Sequence, residues 1–143
     1  MEKSTRTVIR DNFKTVGKVI TIGEMRSYDE KDSNRTKVLN FVIESNDIED
    51  IGGIKIPITK ENRITAFHSL ALKAAKDLEI GSYVLLTECT EQISDYTNKD
   101  GQTRKMKDIV VNQINKISEE IYDKVKDIIA VDNEKVNNAP DFT

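Results

Sequence analysis

A polar turn between two β-rich runs carries the residue types best able to bind a ligand. Residues 95–104 contain one aromatic ring, Tyr96, and several cations, among them Arg104. An aromatic ring stacks on a nucleic-acid base and a cation neutralises a phosphate, so this composition is typical of a loop that binds an unpaired strand. Residues 98–101 include Asn, Asp and Gly, which tolerate positive φ and predict a hairpin turn. A hairpin tip without a ligand is the alternative.

The cations are unevenly distributed along the chain. The net charge is −3, yet cations outnumber acids over residues 1–18 and 99–107, whereas residues 118–143 are acidic. Binding to a polyanion depends on where the cations lie rather than on their sum. The distribution therefore favours a cationic groove on the body of the protein, with the acidic segment kept away from it. A solvated surface without a ligand would have the same composition.

Several kinds of site are not expected. Cys89 and His68 are each the only residue of their type, so the chain cannot build a disulfide framework, a zinc site or a catalytic triad. We interpret Cys89 as a core residue and His68 as part of a helix start. No carboxylate pair, phosphate loop or nucleophile-base set has a recognisable spacing, which predicts a non-enzymatic protein without metal or cofactor.

The hydropathy of the chain also bears on where the protein acts. No apolar run is long enough to span a bilayer, and the N-terminus lacks the apolar segment of a secretion signal. The sequence therefore predicts a cytoplasmic protein with no membrane partner.

Alternating apolar residues predict five strands. They lie over residues 13–25, around Leu39, Phe41 and Ile43, from Ile54 to Phe67 with a break, around Tyr83 to Cys89, and over residues 106–117. Gly17 and Gly23 indicate bends in the first strand, and Pro57 favours an edge position. The charged residues 28–36 and the acidic residues 46–53 are predicted to be loops.

A different period predicts two helices. Ala71, Ala74 and Leu78 recur at helical spacing before Gly81, which ends the helix. Ser118 is the expected N-cap of a second helix over residues 118–131. Its apolar stripe, formed by Ile121, Val125, Ile128 and Ile129, needs a partner surface, either the barrel of its own chain or another subunit. The polar residues beyond Val131 are expected to be mobile.

The order of three strands, one helix and two strands predicts an all-β protein with short helices, a five-stranded Greek-key barrel of the OB-fold type. Four segments follow from this interpretation: a flexible N-terminal arm over residues 1–12, the OB-fold domain over residues 13–117, an amphipathic C-terminal helix over residues 118–131 and a flexible acidic tail over residues 132–143.

Two motifs resemble the bacterial single-stranded DNA-binding protein family. Residues 67–84 begin with an aromatic residue and end in Leu78-Glu79-Ile80-Gly81 and the start of the next strand, as does that family's helix before strand 4. Residues 96–104, followed by Ile109-Val110-Val111, are similar to its hairpin between strands 4 and 5. The likeness extends over residues 13–117. It implies an OB fold that binds single-stranded DNA, and the departures from the pattern suggest a divergent type encoded on a phage or plasmid.

The resemblance also implies which residues contact DNA. Tyr96 falls where a base-stacking tryptophan usually lies, and Phe67 where a stacking phenylalanine lies. Cations placed to neutralise phosphates are Arg63, Arg104, Lys105 and Lys107. Further cations could extend the track on the side of strands 1 and 2, namely Lys14, Lys18, Arg26 and Lys37. The alternatives are a core role for Phe67, a hairpin-packing role for Tyr96 and solvated surface charges.

The departures from the family affect affinity and partners. The chain has no tryptophan, and Glu61 stands where the family often has a third-strand aromatic residue. Because each base stack contributes about 1 to 3 kcal/mol, we expect modest and salt-dependent affinity. The family's tail ends in an acidic-Pro-Phe peptide that recruits other proteins. Residues 139–143 match that peptide only loosely, which argues against recruitment through the tail.

These observations predict a non-catalytic protein that covers exposed single strands, with little sequence preference, in replication, repair or transfer of a mobile element. We expect a homo-oligomer, with the N-terminal arm docking on a neighbouring subunit as one route to assembly. Two alternatives stay open. One is a protein-interaction module on the same barrel, and the other is RNA binding on the same face, since only contacts to the 2′-hydroxyl separate RNA from DNA.

Overall fold

The computed structural model describes residues 4–27, 37–97 and 99–137. The elements in chain order are β1 (Ser4–Ile22), β2 (Arg26–Ser27), β3 (Lys37–Ile51), β4 (Ile54–Phe67), α1 (His68–Asp77), β5 (Tyr83–Thr97), β6 (Thr103–Val110), β7 (Gln113–Ile117) and α2 (Glu119–Asn137).

The strands close into a barrel. Neighbouring strands follow the order β1-β3-β4-β6-β5, and β1 pairs again with β5 to complete the ring. All of these pairs are antiparallel except β4 with β6. The predicted alternation on the second strand is confirmed, because Leu39, Phe41 and Ile43 all lie in the buried core. Ala71 and Ala74 of α1 join the same core, so α1 closes one end of the barrel.

The first strand begins earlier than the sequence analysis predicted. The flexible arm expected over residues 1–12 is wrong from Ser4 onward, because β1 starts there and pairs with β5 from Ser4↔Tyr96 to Lys18↔Tyr83. The ladder contains register shifts between Val8 and Thr15, which hide the alternating pattern in the sequence. A Cβ on Gly17 would lie 2.7 Å from the Glu44 carbonyl oxygen, so glycine is required where β1 crosses to β3.

A long two-stranded hairpin replaces the acidic loop predicted over residues 46–53. β3 and β4 pair without interruption to Ile51↔Ile54, and Gly52 and Gly53 form the turn with φ of 60° and 88°. Two successive residues at positive φ suit a tight hairpin turn, and the Asp50 carboxylate accepts a hydrogen bond from the Gly53 N–H at 2.8 Å. The break predicted within the third strand is absent from this continuous ladder.

Two β-arms leave the same end of the barrel. β4 and β6 run parallel and pair only at Ile64↔Ile109 and Thr65↔Val110. The part of each strand before that pairing extends outward, so the β3–β4 hairpin forms one arm and the β1–β5–β6 ladder forms the other. The predicted fifth strand is divided into β6 and β7, which pair with opposite ends of β5.

The C-terminal helix is longer than predicted and packs on the outside of the barrel. The Ser118 hydroxyl accepts a hydrogen bond from the Ile121 N–H at 3.2 Å, which confirms the N-cap. α2 runs to Asn137 rather than to Val131, so the mobile tail expected beyond Val131 is wrong for residues 132–137. Residues 138–143 lie outside the described part, as does the loop predicted over residues 28–36. α2 contacts β1, β3 and β5. In the described part of the chain, neither helix combines the length and apolar character needed to cross a bilayer.

Candidate nucleic-acid interface

The outer face of β3 and β4 carries polar side chains opposite the core. Burial alternates along β3 from Leu39 to Ser45, and Leu39, Phe41 and Ile64 lie in the core. The register pairs Asn40 with Thr65 and Val42 with Arg63, so these four side chains share the outer face. The sequence predicted Arg63 as a phosphate contact, and the structure places it in the middle of this face.

Two arginines meet at one amide on this face. Arg26 of β2 and Arg63 of β4 both donate hydrogen bonds to the Asn40 Oδ1 atom, Arg63 from Nη2 at 3.3 Å. Among the ion pairs formed by the described residues, none involves either guanidinium. Each guanidinium has five N–H donors, and the amide leaves most of them available. Among the described residues, the pair of charges is therefore held in place by a neutral amide and not by an ion pair.

A chain of hydrogen bonds fixes the central amide. Asn40 Nδ2 donates to Thr65 Oγ1 at 2.7 Å, and Thr65 Oγ1 donates to Asp108 Oδ2 of β6 at 3.0 Å. Arg63 Nη1 lies 3.0 Å from Met106 Sδ, also on β6. Because donors and acceptors alternate along this chain, the amide oxygen is directed to the arginines. The outer face thus continues from β2 across β3 and β4 to β6.

Phe67 ends β4 beside the arginine pair. It pairs in register with Val38, which in turn pairs with Arg26 of β2, so the three residues form one cross-strand row. Phe67 is half-buried and does not belong to the core cluster of the described residues. This position departs from the core role considered as an alternative. A ring at the edge of a cationic face has the arrangement that base stacking needs.

The hairpin cations predicted as one group lie on two faces. Arg104 pairs in register with Tyr96, and Arg104, Met106 and Asp108 alternate onto the outer face of β6. Lys105 and Lys107 alternate onto the other face. These cations therefore lie on both faces of β6, because successive residues of a strand point to opposite sides, and their contacts to phosphates stay a prediction. The Tyr96 side chain lies outside the described part, so its stacking role stays a prediction.

Lys107 belongs to an ionic cluster on that second face. Its Nζ atom lies 2.9 Å from Glu91 Oε2, and Arg10 Nε lies 3.0 Å from Glu91 Oε1. The Arg10 guanidinium also covers the ring of Phe13 at 3.9 Å. Glu91 is only 3% exposed. The cluster ties β1, β5 and β6 together, and its one carboxylate is shared between the two cations.

The remaining predicted cations lie away from the arginine pair. Lys14 lines a small pocket with Ile129 and Asp132 of α2. Lys18 pairs in register with Glu44 and Tyr83, and Tyr83 stacks on Tyr122 of α2 at 4.6 Å between ring centroids. α2 therefore flanks the side of the barrel on which a cationic track was expected.

Lys37 lies closer to the outer face. Its Nζ atom donates to Ser27 Oγ at 2.8 Å, at the β2–β3 edge next to Arg26.

A cleft separates the two β-arms. It has a volume of about 360 Å³ and is lined by Lys60, Glu61, Asn62, Arg63, Lys107, Asp108 and Ile109. Its mixed charges, with Lys60 paired to Asp47 at 3.6 Å, make it less cationic than the outer face. The cleft borders Arg63, so it offers a continuation of the outer face rather than a separate centre.

Two groups have perturbed pKa values, and both lie away from the outer face. Burial raises the pKa of the Cys89 thiol from 9.0 to about 12, although the charge of Arg10 opposes this shift. Burial also raises the pKa of Tyr122, and nearby Tyr83 and carboxylates add to the effect. Within residues 4–27, 37–97 and 99–137, no group of three or more His, Cys, Asp or Glu could hold a metal ion.

Sequence reasoning missed three residues of this face. Asn40, Thr65 and Asp108 carry no ligand-binding signal on their own, and only the strand register brings them together. One signal was present, because Asn40 stands between Leu39 and Phe41 in a strand of otherwise apolar residues. A polar residue on the outer side of such a strand needs hydrogen-bond partners, and here it has them.

The fold is shared with solved single-stranded DNA-binding proteins. The small single-stranded DNA-binding protein from Streptomyces coelicolor superposes with a TM-score of 0.51 at 20% identity, over 76% of this chain and 94% of that chain. The SSB of Plasmodium falciparum, solved in complex with ssDNA, superposes with a TM-score of 0.58 at 13% identity, over 76% and 96%. No family model and no curated protein sequence matches the chain. The similarities confirm the predicted OB fold with a C-terminal helix.

Proposed function

We propose that this protein binds single-stranded DNA with little sequence preference and without catalysis. One observation carries the proposal: the outer face combines Arg26 and Arg63, which share a neutral amide acceptor, with the ring of Phe67. Cations neutralise the phosphates and a ring stacks on an unpaired base, and neither contact reads the base sequence. The fold shared with a protein solved in complex with ssDNA supports the same ligand.

The DNA path that we propose begins at the outer face and reaches the hairpin of β5 and β6. Phe67 and Tyr96 stack on bases, while Arg26, Arg63 and Arg104 contact phosphates. Lys37 lies at the β2 end of this path. Lys105 and Lys107 lie on the second face, Lys107 also lines the cleft, and we assign both a smaller part. Lys14 and Lys18 lie beside α2, and we assign them the smallest part.

A binding titration tests the proposal. Fluorescence anisotropy of a labelled oligothymidine would be compared with an RNA of the same length and with a duplex, each at several salt concentrations. We expect binding of modest affinity to the DNA single strand, weaker binding to the duplex and a linear fall of the logarithm of affinity with that of salt. No binding to any of the three at low salt would falsify the proposal. Stronger binding to RNA would assign the same face to RNA instead.

We also propose that the protein acts as a homo-oligomer. Val8 and Ile9 of β1 are 57% and 45% exposed, and Ile121 and Ile128 of α2 are 48% and 61% exposed. Only part of the predicted apolar stripe of α2 therefore packs on the barrel of its own chain, because Ile129 and Ala130 are buried whereas Ile121 and Ile128 are exposed. Light scattering of the double variants Val8→Thr with Ile9→Thr and Ile121→Lys with Ile128→Lys tests which surface is used. Unchanged mass in both variants would exclude both surfaces.

The biological setting follows from the same reasoning. We propose that the strands it covers arise in the cytoplasm, during replication, repair or transfer of a mobile element such as a plasmid or phage. The support is the resemblance of residues 67–84 and 96–104 to the bacterial family, combined with the absence of tryptophan and the added α2 helix. Expression together with a transferred element, followed by measurement of transfer frequency with and without Arg63→Ala, tests this role.

A further inference from the structure

We infer that Asn40 is a positioning residue that joins Arg26 and Arg63 into one binding site for a phosphodiester group of the bound strand. This inference rests on the proposed function, because it names the part of the ligand that the central site of the outer face takes. Asn40 has no motif around it that would single it out, and its role follows from the contacts that surround it.

Arg26 and Arg63 converge on the side-chain oxygen of Asn40. One belongs to β2 and the other to β4, yet both donate to the same Asn40 Oδ1 atom. Two guanidinium groups repel each other, and a single neutral acceptor compensates little of that repulsion. Such a pair is stabilised when an anion binds to both members. A phosphate oxygen accepts strong charge-assisted hydrogen bonds from arginine, often two from one guanidinium.

The amide nitrogen of Asn40 is fixed by hydrogen bonds on the side of the barrel. Asp108 accepts from the Thr65 hydroxyl, and that hydroxyl accepts from Asn40 Nδ2 at 2.7 Å. The carbonyl oxygen of Ile64 lies 3.5 Å from the same nitrogen. The amide nitrogen is thereby engaged on the barrel side, and its oxygen remains directed to the guanidinium groups. The orientation of both arginines is consequently prepared before any ligand arrives.

An amide at position 40 positions the two arginines for an anion better than a carboxylate would. An aspartate at this position could still accept from both arginines, but it has no N–H to donate to Thr65 Oγ1, and its charge would neutralise part of theirs. Glu91 provides the contrast within this protein, since it forms ion pairs with both Arg10 and Lys107. Asn40 supplies the geometry and leaves both positive charges for the ligand.

The ring of Phe67 offers a stacking surface for the base next to the bound phosphate. Phe67 and Arg26 lie in the same cross-strand row, on either side of Val38. A phosphate on the arginine pair places the neighbouring base of an unpaired strand within reach of that ring. A duplex presents the same phosphate with its bases stacked inside, so it gains the charge interaction without the stack.

The experiment compares Asn40→Asp, Asn40→Ala and a control of equal charge change, Asn115→Asp. Asn115 is exposed on β7 and is not part of the outer face. Anisotropy with labelled oligothymidine is measured from low to high salt, and thermal unfolding checks the fold of each variant. For single strands the slope of log affinity against log salt becomes shallower by about 0.7 for each phosphate that the protein no longer neutralises.

We expect Asn40→Asp to lower affinity at least tenfold and to make the slope shallower by about 0.7 or more. Asn40→Ala should lower affinity severalfold with a smaller change of slope, because both charges remain but are no longer held. Asn115→Asp should stay within about twofold of the wild type, since surface charges far from the site are largely screened.

Three results would overturn the inference while leaving the proposed function intact. In the first, Asn40→Asp matches Asn115→Asp in both affinity and slope. In the second, the two Asn40 variants lose affinity equally with no change of slope, which indicates a purely structural role. The third comes from a double-mutant cycle with Asn40→Ala, which also applies if Asn40→Asp is unstable: Arg26→Met costs as much affinity in the Asn40→Ala background as in the wild type. Absence of wild-type binding would instead reject the proposed function.

Discussion

Two groups of cations contact opposite faces of β6, and they differ in what lies between them. Arg63 reaches Met106 on the outer face, beside Arg26 and the amide of Asn40. Lys107, the next residue along β6, reaches the buried carboxylate of Glu91 on the other face, as does Arg10. Both groups consist of two cations, which are two arginines on the outer face and an arginine with a lysine on the other face. The partner decides whether the charge stabilises the fold or remains available to a ligand.

The number of lysines and arginines in a sequence does not show which of them can bind a ligand. A count of lysines and arginines treats Arg63 and Lys107 alike, although one meets an amide and the other a buried carboxylate. A buried carboxylate between two cations stabilises the pairing of the strands that carry them. Removing it leaves an uncompensated charge in the protein interior, away from water. A neutral amide between two cations only orients them. Substitutions on the two faces should therefore affect stability and binding in opposite proportions.

The largest effect is expected from the ionic cluster of the β1–β5–β6 arm. Glu91→Ala should lower the free energy of unfolding by about 3 to 5 kcal/mol, because it breaks a buried pair and leaves the Arg10 charge uncompensated beside Phe13. Urea unfolding measures the change, and Glu61→Ala, an exposed site on β4, is the control with an expected change below about 0.5 kcal/mol. A loss under about 1 kcal/mol for Glu91→Ala would mean that the cluster contributes little to the fold.

The next effect concerns the ring at the edge of the outer face. Phe67→Ala should weaken binding to a single strand by about 1 to 3 kcal/mol, the usual contribution of one base stack. Phe67→Tyr keeps a flat ring and should bind nearly as well as the wild type. Phe67→Leu keeps an apolar side chain without the ring, so it separates stacking from packing. Equal affinity of the Leu and Tyr variants would show that Phe67 only packs at the junction of β4 and α1.

A direct contrast of the two faces comes from Arg63→Met and Lys107→Met. We expect about a tenfold loss of affinity for Arg63→Met, close to about 1.4 kcal/mol, with a salt slope shallower by about 0.7. For Lys107→Met we expect less than about twofold, because its ammonium group is already engaged in an ion pair with Glu91 on the other face. Anisotropy at fixed salt measures both affinities, and a salt series gives the slopes. Equal losses would remove the distinction between the faces and restore a single continuous cationic track.

Some parts of this structure could be predicted from the sequence because they depend on local pattern. The alternation of Leu39, Phe41 and Ile43, the helical spacing of Ala71 and Ala74, and the cap at Ser118 were all predicted and are present. Each arises from neighbours in sequence or from one face of one element. The OB fold follows from the order of such elements together with the family resemblance.

Other parts depend on pairing between distant segments. Residues 4–12 look irregular by themselves and become a strand only through a bulged ladder with β5. The acidic residues before Gly52 form a strand because β4 pairs with them to the turn. The convergence of Arg26 and Arg63 on Asn40 needs three strands in register. No local period encodes such a meeting, which is why the sequence predicted both arginines as site residues and missed the amide.

The smallest effect expected is a pH dependence of the stability of the fold, caused by Cys89 in the barrel core. Its thiol is buried near Arg10, and burial raises its pKa from 9.0 to about 12. Above pH 9 the unfolded chain releases this proton and the folded chain retains it, so stability is full below about pH 9 and falls as the pH rises toward about 12. The loss attributable to Cys89 should be about 1 kcal/mol at about pH 10.

Urea unfolding of the wild type and of Cys89→Val between about pH 7 and about pH 10.5 isolates this contribution, because other groups titrate in both proteins. We expect parallel stability curves up to about pH 8 and a growing difference above about pH 9, with only the wild type bearing the extra loss. Curves that stay parallel throughout would place the thiol in a wetter environment than its burial implies. The core beside Arg10 would then be open to solvent, and the contrast between a closed ionic cluster and an open arginine pair would lose its physical basis.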